Sequence, residues 1–99
     1  MTISVSPSSG PPGTVMQIYV TGCNDPDGLN HAISFNDAPV NHDTASDPNT
    51  VQTINSTQDG DKLTATYAVV ASDQRGQQPG RVFVQCEATL KWVDFTVTG

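Results

Sequence analysis

The sequence predicts an all-β chain folded as a two-layer sandwich of about seven antiparallel strands, and three observations carry that prediction. Apolar and polar residues alternate in short runs, as in Met16, Ile18 and Val20 or Leu63, Ala65, Tyr67 and Val69, which is the period of a half-buried strand. No window sustains apolar residues at helical spacing; Thr, Val and Ser abound, and Leu occurs only at 29, 63 and 90. β-branched side chains suit the pleated surface of a sheet. Gly and Pro recur at short intervals, giving turns about every 8 to 12 residues, the spacing of a sandwich. The 99 residues fit one such domain and leave no room for a second core. Hydrophobic residues make up 35%, which is low, but a sandwich turns only alternate strand residues inward.

The first strand is expected over Ile3–Ser6, followed by a rigid turn region, Pro7 to Gly13, that cannot continue a central strand. The second runs Thr14–Thr21 with Met16, Ile18 and Val20 inward, and the Gly22–Gly28 stretch breaks it. The third is His31–Asn36 with Ile33 and Phe35 inward, then a turn at Asp37–Pro39, a short edge segment near Val40 and a polar loop over Asn41–Pro48. A fourth strand over Thr50–Ser56 has Val51 and Ile54 out of parity, which calls for a bulge or an outward residue. Asp59, Gly60 and Asp61 form a strong turn signal. The last three strands are Lys62–Ala71, Arg81–Thr89 with Val82, Val84 and Cys86 inward, and Lys91–Thr98 with Val93, Phe95 and Val97 inward.

Charge excludes several classes of partner. Ten acids against four bases give −6, and the bases are Lys62, Lys91, Arg75 and Arg81. Four scattered cations build no basic patch, so neither nucleic acid nor an anionic membrane is an expected partner. No stretch approaches the roughly 20 apolar residues of a membrane span. The start at Met1 lacks the basic segment of a signal peptide, so if the parent protein is secreted this chain is expected to be a piece of it.

Cys23 falls at the end of the second strand and Cys86 in the sixth. In an immunoglobulin-type topology those strands belong to opposite sheets, so a Cys23–Cys86 disulfide would pin the two layers together in an oxidising compartment. The other reading is two free thiols packed as small hydrophobes; zinc finds no ligand spacing. Cys23 is off the parity of Met16, Ile18 and Val20, which puts the bridge near one end of the sandwich.

The opening Ile3 to Ser6, Pro7-Ser8-Ser9-Gly10-Pro11-Pro12-Gly13, then Thr14-Val15 and a strand ending at Gly22, resembles the start of bacterial immunoglobulin-like domains, including those of the IPT/TIG type. Pro79-Gly80, the strand closing on Cys86 and the final Phe95 to Gly99 are similar to the last two strands of that family. The resemblance implies an immunoglobulin-like sandwich from a secreted or surface protein of high-GC Gram-positive bacteria. The first segment is also similar to neocarzinostatin-type apoproteins, which carry an enediyne chromophore and two disulfides; this chain has cysteines for one.

Candidate sites are few. Asp25, Asp27 and Asn30 offer oxygen donors in one loop, with Asp37, Asp43 and Asp47 further on; calcium takes six to eight such ligands. The spacing is not that of an EF-hand, and a solvated turn uses the same residues. Trp92, Phe83 and Tyr19 fall on outer faces by parity, where exposed aromatics stack on sugars or anchor a protein; the alternative is that they cover a sheet face or a neighbouring domain. His31 and His42 could act as bases, yet no nucleophile signature accompanies them and Glu87 is the sole Glu. Lys62 and Lys91, at strand starts, are poorly placed for an isopeptide crosslink, and the sequon at Asn55 carries little weight in a bacterial protein. The expected function is a non-catalytic structural or spacer module of a secreted or cell-surface protein, partnered by neighbouring domains, without a cofactor unless calcium binds. The alternative is a carbohydrate-binding or adhesive module using the Trp92 face.

Overall fold

A computed structural model describes residues 1–37, 54–76 and 78–99. The strands are β1 (Thr2–Ser6), β2 (Ser9–Gly10), β3 (Val15–Thr21), β4 (His31–Phe35), β5 (Ser56–Asp59), β6 (Lys62–Ala68), β7 (Gly80–Cys86) and β8 (Thr89–Val97), with a 3-10 turn at Ala71–Asp73. They form two four-stranded sheets, β1-β3-β6-β5 and β2-β8-β7-β4. The all-β, two-sheet architecture with one disulfide is as the sequence predicts.

The core lies where the alternation puts it. Met16, Ile18, Val20, Leu63 and Ala65 of the first sheet meet Ile33, Phe35, Val82, Val84, Phe95 and Val97 of the second, all buried. Phe35 packs edge-on against both Phe95, at 5.7 Å, and Tyr67, at 5.8 Å, the geometry that ring quadrupoles favour.

One strand joins the expected set and three expected spans are corrected. The described strands number eight because the Pro7–Gly13 turn region contains β2. Thr96 N donates to Ser8 O and Thr98 N to Gly10 O, so β2 runs parallel to β8 at its open edge, a position that tolerates the flanking prolines. The fifth strand in chain order begins at Ser56, where the expected Thr50–Ser56 strand ends; positions 38–53, including the segment near Val40 and the acids Asp43 and Asp47, lie outside the described residues. β5 reads Ser-Thr-Gln-Asp and has no apolar alternation to reveal it. It is held by pairing with β6 through the two-residue turn Gly60–Asp61, where Gly60 has φ 63°, the glycine-first pattern of a type II′ hairpin. β6 stops at Ala68, not Ala71, because the Asp73 carboxylate accepts from both Tyr67 Oη, at 2.6 Å, and Val70 N, at 2.9 Å, folding the chain into the 3-10 turn. Finally, β7 ends at Cys86 and β8 begins at Thr89. The turn falls on Glu87 and Ala88, neither of which is a turn former, and Glu87 takes φ 53° to make it. A non-glycine residue in that region is uncommon.

Cys23 and Cys86 are bonded, with Cα atoms 5.6 Å apart, an ordinary separation for a bridge. Cys23 lies two residues beyond β3 and Cys86 closes β7, so the crosslink ties the two sheets at one end. A disulfide fits an oxidising compartment. Among the described residues no helix is long and apolar enough to cross a membrane.

Candidate functional site

The disulfide end is built by the loop Asn24–Asn30 and the β7–β8 turn. Backbone bonds shape the loop: Asp25 N donates to Cys23 O at 3.0 Å, and Gly28 N to Asp25 O at 3.1 Å. Gln58 Nε2, from β5, reaches Asp25 O at 2.6 Å. Glu87 N donates to Asn30 O at 2.8 Å, joining the turn to the loop.

This wrapping buries Asp25, whose side chain has no exposed surface. Its Oδ2 receives His31 Nδ1 at 2.6 Å and Asn30 N at 3.0 Å. Its Oδ1 is buried and accepts nothing from any described residue. Burial pushes the Asp25 carboxyl up, but the His31 hydrogen bond, helped by the Asn30 amide, outweighs it and holds the group below its ordinary value. Asp27 is exposed and accepts from Leu29 N at 3.1 Å and from the Asn30 side-chain Nδ2 at 3.2 Å. One carboxylate oxygen from each of Asp25, Asp27 and Glu87 lies within 4.8 Å of the other two.

Of the residues named from sequence as oxygen donors, the structure therefore brings Asp25 and Asp27 together. Asn30 stands beside them as a hydrogen-bond donor, and Asp37 lies at the far end. Glu87 was missed as a member. It sits about 60 positions away along the chain, and only the pairing of Cys86 with His31 across β7 and β4 delivers it. His31 is not a free loop base: its ring is 14% exposed and tied to Asp25. An Asp–His pair is the orienting half of an acid–base triad, but no described side chain hydrogen-bonds the other ring nitrogen. His42 lies outside the described residues.

The aromatic candidates do not form one site. Trp92 and Phe83 are cross-strand partners on the outer face of the second sheet, ring centroids 5.9 Å apart. Trp92 is 47% exposed and Phe83 only 7%, so Phe83 is a floor, not a stacking surface. The Arg81 guanidinium sits 4.8 Å over the Trp92 ring, a cation–π distance. Tyr19, half-exposed, lies on β3 and so belongs to the opposite sheet, beside Gln17, Thr64 and Thr66. Parity put each ring on an outer face, and the strand pairing places Tyr19 on one sheet and Trp92 with Phe83 on the other.

Next to Arg81 opens a shallow cleft of about 570 Å³ lined by Asn36, Asp37, Arg75, Arg81, Phe83 and Asp94 among others. Arg75 grips Asp37 with two bonds of 2.9 and 2.7 Å, and the guanidinium holds the Asp37 carboxyl below its usual value. Lys62 and Lys91 are both exposed, and Lys91 Nζ reaches the Met1 carbonyl. Comparison with protein-family models, with curated proteins and with solved structures found no match.

Proposed function

We propose that this chain is a non-catalytic, immunoglobulin-like spacer module of a secreted or cell-surface bacterial protein. The observation that supports the reading is where the two termini lie. Met1 stands at the disulfide end, lining a hollow with Gly22, Cys86 and Lys91. Thr98 stands at the other, its amide bonded to Gly10 O, with Gly99 beside Gln74. The two termini thus lie at opposite ends of the sandwich, an arrangement that suits modules strung in line. In chain order the sheets correspond to the A-B-E-D and C-F-G layers of an immunoglobulin constant-type domain, with β2 carrying the first strand across to the second sheet.

A second reading, recognition of a carbohydrate or protein ligand, has one observation in its favour: the half-exposed Trp92, capped by Arg81 beside the polar cleft. One pair of measurements separates the two. Two copies joined through their own termini should scatter X-rays as a rod about twice the 39 Å length, and Trp92 fluorescence should stay unchanged across a panel of polysaccharides. A compact tandem particle would remove the spacer reading. A saturable fluorescence shift, with binding abolished in Trp92→Ala, would replace it with recognition.

A further inference from the structure

We propose that the disulfide end holds a calcium ion between Asp25, Asp27 and Glu87. The first ground is geometry. The three carboxylates place an oxygen each within 4.8 Å of one another. Oxygens on one calcium ion, bonded at 2.3–2.6 Å, can stand up to about 5 Å apart, so three carboxylates this close can share one.

The second ground is independent of the clustering. Asp25 is wholly buried, and His31 and Asn30 engage one of its oxygens while Oδ1 is left without a donor. Buried carboxylate oxygens are normally satisfied. This one belongs to a member of the trio, so a cation bonded to it would supply the missing partner.

Charge agrees with geometry. Three carboxylates gather here, and no Lys or Arg among the described residues pairs with any of them; the described Arg ion pair, Arg75 with Asp37, is elsewhere. His31 is the basic group at hand, and it is spent on the other Asp25 oxygen. The donor set is all oxygen, since both cysteine sulfurs are in the bridge, and that chemistry selects a hard cation over zinc. Asp27 and Glu87 are exposed, so water can complete the shell. The ion would join the Asn24–Asn30 loop to the β7–β8 turn, a second tie beside the covalent one. The inference stands apart from the spacer reading, which neither requires nor forbids it.

The test is calorimetric titration of chelator-washed, disulfide-intact protein with calcium chloride, with melting followed in parallel. One saturable site is expected, in the roughly 0.1–1 mM range of extracellular calcium modules, with the melting temperature rising as calcium is added. Asp27→Asn and Glu87→Gln, both surface changes, should each weaken binding about tenfold or more while melting in EDTA like the parent. Asp37→Asn, at the far end, should bind as the parent does. No calcium-dependent heat or melting shift up to about 10 mM would overturn the site, as would binding that survives both substitutions. Magnesium bound as tightly as calcium would overturn the choice of ion.

Discussion

The two ends of this sandwich are closed by different chemistry. At one, Cys23 and Cys86 join the sheets covalently, and a buried, ionised Asp25 is held by His31 and Asn30. At the other, closure is hydrogen-bonded: Tyr67 Oη to Asp73, Asn36 Nδ2 to Asp73 O, and the exposed Arg75–Asp37 pair. The covalent tie acts on the unfolded chain, by restricting it; the hydrogen bonds act on the folded state alone. The ends should therefore differ both in how much they contribute and in what breaks them.

The largest difference should appear on removing the bridge. The crosslink spans 63 positions, and the chain-entropy model gives roughly 4 kcal/mol for such a loop. The double substitution Cys23→Ala with Cys86→Ala should lower the urea midpoint accordingly; a loss under about 1 kcal/mol would mean that the denatured chain is already restricted there. At the opposite end, the most sensitive point should be Gly80. A Cβ at this buried glycine would collide with the Asn36 side-chain amide and sit 3.1 Å from the Phe35 ring. Gly80→Ala should cost about 1–3 kcal/mol by overpacking, read by thermal melting. Tyr67→Phe deletes one charge-assisted bond and should cost about 1–2 kcal/mol; no change in the midpoint would show that Val70 N alone secures Asp73. Arg75→Ala should move stability by no more than about 0.5 kcal/mol, because both partners are half-exposed.

Acid and alkali should open opposite ends. Asp25 has a lowered folded pKa, so its contribution is whole above the ordinary carboxylate value near 3.8 and drains away as pH falls through the lower folded one. Burial, with the hydrogen bond to Asp73, pushes Tyr67 from 10.0 up to about 12. Its contribution is whole below pH 10 and is lost as pH rises toward 12. Hydrogen exchange in calcium-free buffer should then show the Asn30 amide losing protection first in acid and the Val70 amide first in alkali. The reverse order would break the comparison.

Much of this was legible in the chain itself. Alternation at Met16, Ile18 and Val20, and again at Val82, Val84 and Cys86, names residues that are all buried. Cys23, off that parity, already marks a bridge near one end of the sandwich. The failures share a cause. β2 and β5 are polar or glycine-bearing, and pairing partners alone make them strands. The Glu87–Ala88 turn carries no turn residue and is imposed by the pairing of Cys86 with Thr89.

Sequence by itself determined the class of fold, the inward residues and the crosslink, because these rest on a two-residue period and on the count of cysteines. Tertiary structure alone decided that Phe83 is buried while Trp92 stays half-exposed, that His31 is spent on Asp25, and that Glu87 joins Asp25 and Asp27. Those facts depend on which strands are neighbours, and strand order is set by packing across the whole sandwich, which no local pattern records.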